Sequence, residues 1–139
     1  MIKKERAIKQ FVSLLVSAWL IVAVISPGAA SALDITRANV IDLTNQARQE
    51  QELDPLTYNS KLSQAAQAKA EDMIERDYWA HFYNGEKPWD WMDEYNYKYI
   101  QAGENLAIDF EDARAMHQAW MDSDSHRDNL LNSKYREIG

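Results

Sequence analysis

No cysteine occurs in the 139 residues, and there are only three prolines and four glycines. The first absence removes disulfides, thiol nucleophiles and cysteine-ligated metals at once. A domain built from this chain must stand on its packing alone. Basic residues are also short: 15 Lys and Arg against 22 Asp and Glu give a net charge of −7. The apolar run that comes nearest to a membrane span falls short of the roughly 20 residues required. It is Phe11 to Ile25, 15 residues with no charge. There is no G-x-S-x-G elbow, and Ser125 next to His126 is poorly placed to attack with its neighbour as base, so serine hydrolysis is a poor fit.

What is present begins with a leader. Lys3, Lys4, Arg6 and Lys9 precede the apolar run, Pro27-Gly28 breaks it, and Ala30-Ser31-Ala32 supplies small residues at a cleavage site. Residues 1–32 read as a secretory signal peptide and 33–139 as one domain. The leader holds four basic residues and one glutamate, so its removal takes the net charge from −7 to −10. So acidic a surface disfavours nucleic acid and anionic lipid as partners. The reading is a secreted, extracytoplasmic protein, periplasmic or extracellular, with no stable membrane span after cleavage.

Residues 35–51 carry Val40, Leu43 and Ala47 at helical spacing. Asp54-Pro55 breaks that pattern, and Asn59 is a good N-cap for a second helix over 60–77. Its inner stripe is expected to be Leu62, Ala66 and Met73, helped by Ala65 and Ala70. Nine aromatics then crowd into positions 78–99. They suit a surface for a sugar, lipid or peptide, but in a cysteine-free domain they read first as what pins a long loop to the core. Pro88 suits the first position of a short helix. "ENLAIDF", residues 104–110, reads as a buried strand, with Asp109 capping a helix over 111–122. That helix would bury Ala113, Met116, His117 and Trp120. One more short helix follows, with Leu130 and Leu131 inward, and "YREIG" opens a strand.

Three histidines are candidates for chemistry: His81, His117 and His126. None has the i, i+4 spacing of a helical zinc motif. His117 lies on an apolar stripe and reads as a core or rim residue. His126 begins a helix after Ser123, Asp124 and Ser125, any of which can cap it. A helix start disfavours imidazolium, and neutral imidazole is the form that binds metal or acts as a base. Glu104 stands alone at the mouth of the apolar run.

The blocks "LDPLTYNSKLSQAAQAKAEDM", "WAHF", "AGENLA" and "AWMDSDSHRDNLLNSKYREIG" occur in one order. Together they resemble the CAP superfamily of cysteine-rich secretory, antigen 5 and pathogenesis-related 1 proteins, in its bacterial SCP-like extracellular branch. The resemblance implies an α+β fold, an α-β-α sandwich with a central cleft, whose family pattern continues past Ile138-Gly139 into further strands; the domain is expected to be C-terminally incomplete. It also implies a cleft of histidines and glutamates that in some members holds zinc or another divalent cation. His81, Glu104 and His126 match those positions. Ser123 stands where the second glutamate would be, which leaves one carboxylate in place of two. Two functions follow. One is a binding module for an envelope or extracellular ligand: a small molecule, lipid or protein. The other is a divalent-metal-dependent hydrolase in which His81 and His126 hold the ion and Glu104 is ligand or base. If the leader reading is right, terminal sequencing of the exported protein begins at Leu33. Retention of Lys3 to Ile25 in a membrane fraction would contradict it.

Overall fold

A computed structural model describes residues 31–139. All but the last two residues of the leader lie outside the described residues. Five helices and two short strands follow in the order α1 (Arg37–Glu50), β1 (Thr57–Tyr58), α2 (Ser60–Glu75), α3 (Pro88–Glu94), α4 (Ala113–Asp122), α5 (Asp124–Leu130) and β2 (Glu137–Ile138). The strands pair in parallel, Thr57 opposite Glu137 and Tyr58 opposite Ile138. Helix α4 packs on α1 and α5, and α2 packs on α3. The expected α+β class holds. No helix among the described residues is long and apolar enough to cross a membrane.

The helix starts follow local chemistry. The Thr36 hydroxyl accepts from the Asn39 N–H at 3.2 Å, and the Asn59 side chain accepts from the Lys61 and Leu62 N–H groups at 2.9 and 3.3 Å. These contacts satisfy donors that have no partner within the helix. Pro88 occupies the first turn of α3, while the Asp90 carboxylate accepts from the Lys87 N–H at 2.7 Å. Ahead of it, Asn84 (φ +48°) and Gly85 (φ +86°) form a two-residue turn that brings Tyr83 back against Glu86. Positive φ at both central positions is what such a turn requires.

Four expectations need correction. Residues 104–110 form no strand; Leu106 and Ala107 are half-buried, and Ile108 and Phe110 are exposed. Their carbonyls are satisfied by side chains instead: Trp120 Nε1 donates to Leu106 O at 2.9 Å, and Asn129 Nδ2 to Glu104 O at 3.1 Å. The cap of α4 is Asp112, which accepts from the Ala115 N–H at 2.8 Å and also from the Leu33 N–H; Asp109 lies outside with φ +62°. Those backbone hydrogen bonds, with Leu33 first, lower the Asp112 pKa. The buried stripe of α2 is Ala65, Lys69 and Met73, and Ala66 is exposed. Trp120 is half-buried rather than core, although Ala113, Met116 and His117 are buried as expected.

The aromatic segment divides. Tyr78 and Tyr83 stack with centroids 3.9 Å apart and ring planes 5° from parallel. Trp89 and Tyr99 meet at 6.3 Å, whereas Trp79 and Phe82 are exposed. Burial, and then a hydrogen bond to Asp72, push the Tyr78 hydroxyl up to about 12. On β2, Glu137 accepts from Asn59 Nδ2 at 2.8 Å and from the Tyr97 hydroxyl at 2.7 Å, and these donors lower its pKa.

Two buried polar residues give measurable consequences. Arg48 has no exposed surface; its Nε donates to Asp54 O at 2.9 Å, and its Nη1 to Leu130 O at 2.9 Å and Asn132 O at 3.0 Å. It staples the end of α1 to the end of α5. Arg48→Ala should cost about 3 kcal/mol or more in chemical denaturation, because three inward carbonyls lose a charged donor. A loss below about 1 kcal/mol would show that water replaces the guanidinium freely. His117 is buried, its Nε2 has no partner among the described residues, and burial lowers its pKa. Below the reference value of about 6.5, the unfolded chain takes up a proton that the folded chain resists. Stability is therefore lost as pH falls from 7 toward 5, and Tm should fall less over that range in His117→Leu than in wild type. Equal slopes would mean that His117 titrates in the fold as it does in solution.

Candidate functional site around Glu104

Gly103 lets Glu104 in. A Cβ there would lie 2.5 Å from the Tyr135 hydroxyl and 2.7 Å from Asn129 Oδ1, so only glycine allows the segment this close to α5. Asn129 Nδ2 holds Glu104 O at 3.1 Å and Asn105 Oδ1 at 3.0 Å, and Asn105 Nδ2 donates to His126 O at 3.1 Å. The Glu104 carbonyl and the Asn105 side chain are thus tied to α5.

The carboxylate meets a lysine that the sequence reading did not single out. Lys69, on the buried face of α2, donates to Glu104 Oε1 at 2.6 Å, Glu104 Oε2 at 2.8 Å and His81 O at 2.9 Å. Its side chain is 4% exposed and that of Glu104 17%. An ammonium has three donors, and all three are used. The signal in the sequence was the spacing of Ala65, Lys69 and Met73, which puts a lysine in an apolar stripe. Asn129 sat inside the "SHRDNLL" block without a role assigned to it.

His81 and Glu104 do come together: His81 Nδ1 lies 2.7 Å from Glu104 Oε1, and the His81 side chain is 46% exposed. The His126 ring bonds the hydroxyl of Ser123, the residue preceding α5, at 2.7 Å. It is linked to the Glu104 segment only through its own carbonyl and Asn105. His117 stands apart on α4. The three matched residues therefore share a region through backbone and amide links, with one direct side-chain contact between His81 and Glu104.

Beside the ion pair lies a cavity of about 210 Å³, lined on its apolar side by Val40, Leu62, Trp91, Met92 and Trp120 and elsewhere by Asn129, Tyr135 and the last residues, Glu137 to Gly139. Lys69 and Glu104 reach its surface; His81 and His126 do not line it. A divalent cation does not fit the donor set in this arrangement. Both oxygens of the one carboxylate are held by an ammonium, and no three His, Asp or Glu side chains among the described residues are close enough to share an ion. Chemically, the site offers an oriented imidazole on its outer side and an apolar chamber with an ion pair at its edge.

The arrangement has relatives. A family model described as "Cysteine-rich secretory protein family" matches residues 41–139. The chain is 37% identical over 114 residues to the uncharacterized protein YkwD of Bacillus subtilis, covering 80% of this chain and 44% of that one. It is 35% identical over 103 residues to the uncharacterized membrane protein YlbC of the same organism, covering 72% and 29%. An extracellular protein with an SCP domain from Bacillus anthracis superposes with a TM-score of 0.71 at 29% identity, covering 73% of this chain and 35% of that one. An outer surface protein from Borrelia burgdorferi shares the fold with a TM-score of 0.69 at 22% identity, covering 78% and 84%. The chain thus spans less than half the length of both Bacillus subtilis relatives. Its motifs, its fold and this match over most of its length make it a member of the cysteine-rich secretory protein, or CAP, family.

Proposed function

We propose that this chain is an exported binding module whose apolar cavity takes a ligand of the cell envelope or its surroundings. The observation that carries the reading is the cavity itself, with apolar walls and an edge formed by the Lys69–Glu104 pair. Such a chamber suits a small molecule or lipid segment with an apolar body and a polar end. The relatives described as extracellular and outer-surface proteins, together with the leader and the acidic surface, support an extracytoplasmic location.

A second reading rests on one contact. A carboxylate 2.7 Å from Nδ1 of a half-exposed imidazole has the form of an oriented general base, so a hydrolase remains the competing function. The donor set as arranged does not accommodate a metal ion beside that contact.

Native mass spectrometry of the exported protein separates the two. The binding module should carry a small apolar adduct that survives EDTA and is lost in Leu62→Trp, where an indole fills the chamber. Absence of any adduct, together with ester or peptide hydrolysis that Glu104→Gln abolishes, would overturn the binding reading in favour of the enzyme.

A further inference from the structure

The Lys69 ammonium holds both oxygens of the carboxylate that the family resemblance would give to a metal ion. Its three hydrogens reach the two oxygens of Glu104 and the carbonyl of His81, at 2.6, 2.8 and 2.9 Å. The Lys69 side chain is only 4% exposed. An incoming ion would have to displace a buried ammonium from all its acceptors and leave it unpaired, which is costly.

The same contacts settle the proton on His81. An ionised carboxylate only accepts hydrogen bonds. Glu104 Oε1 already accepts from Lys69, and it lies 2.7 Å from His81 Nδ1. The hydrogen between them therefore belongs to Nδ1. A neutral imidazole carries one N–H, so its Nε2 is left as a lone pair on a half-exposed side chain. Among the described residues, His81 makes its hydrogen bonds through Nδ1 and its own carbonyl.

We propose that Lys69 is the built-in cation of this site, and that through Glu104 it locks His81 with its proton on Nδ1, so that Nε2 is an acceptor for the hydroxyl or amide N–H of a ligand bound without a metal ion. This adds a polar subsite on the outer side of the ion pair to the apolar chamber on its other side. It rests on the reading of the region as a binding site, but the lock is a property of the free protein and is measured without any ligand. Lys69 and Glu104 act here as positioning residues. A merely structural ion pair would stabilise the fold without dictating which nitrogen of His81 is protonated.

The test is long-range proton–nitrogen NMR of the whole protein labelled with 15N at histidine and lysine, at pH 8. His81 should show a protonated Nδ1 and a bare Nε2. Lys69 should show an ammonium signal protected from solvent exchange. In Glu104→Gln the amide oxygen still serves Lys69, and the amide NH2 turns to His81 Nδ1 as a donor. The two ring-nitrogen shifts of His81 should then interchange. Equimolar zinc added to wild type should leave the His81 and Lys69 signals unmoved. A proton on Nε2 in wild type, or no interchange in a folded Glu104→Gln, would overturn the lock. A rapidly exchanging Lys69 ammonium, or stoichiometric zinc that shifts His81 and frees Lys69, would overturn the cation assignment. The wild-type readings stand even if the variant fails to fold. A failed lock with an apolar adduct still present would leave the binding module intact, whereas a lock without any adduct would leave only the subsite.

Discussion

The Lys69–Glu104 ion pair joins three parts of the chain. Lys69 comes from the buried stripe of α2, Glu104 from an extended segment with no ladder, and the third acceptor from the carbonyl of His81 in the aromatic loop. Burying two charges is unfavourable unless their hydrogen bonds are complete, and removing one partner of such a pair costs about 3–5 kcal/mol. Here the ammonium is saturated, and the carboxylate has His81 as an additional donor. The pair does not explain stability by itself, because an apolar pair of equal volume can be as stable. What it explains is position: it sets the entry of the Glu104 segment, the path of the loop and the orientation of one imidazole.

The same device recurs elsewhere in the domain. Among the described residues, side chains satisfy several backbone groups outside the β1–β2 pair. Asn45 pairs both ways with the backbone of Leu56, at 2.7 and 3.0 Å, as a neighbouring strand would. Arg48 takes three carbonyls, Trp120 takes Leu106 O, and Asn129 takes Glu104 O. Buried carbonyls must find donors, and among the described residues long polar side chains supply these. Arg48 and Lys69 are consequently buried, although both are residue types that usually face water.

The helices were legible because capping and periodicity are local. Asn59, Pro88 and the Ala113–Met116–His117 stripe stand where sequence spacing put them. "ENLAIDF" was misread because a short apolar run records burial without recording what its backbone bonds to, and its partners, Trp120 and Asn129, lie 14 and 25 positions from the carbonyls they bind. Asp109 was read as the cap of α4 because nothing in the sequence signals that Leu33 and Ala115 bind Asp112. At the site, Glu104 and His81 were legible from motif order and do meet. Lys69 was not, since a lysine is read as solvent-facing until its acceptors are known, and these lie 35 and 12 positions away.

The most direct test of the central claim is a double-mutant cycle on stability with Lys69→Met, Glu104→Gln and the double variant. Each single change should cost on the order of 3 kcal/mol, because each leaves the other group buried without its charge partner. The double variant should cost at least about 1.5 kcal/mol less than the sum of the two, the signature of groups in direct contact. Additivity to within about 0.5 kcal/mol would mean that the two residues act independently, and the account of a site organised by their contact would be wrong.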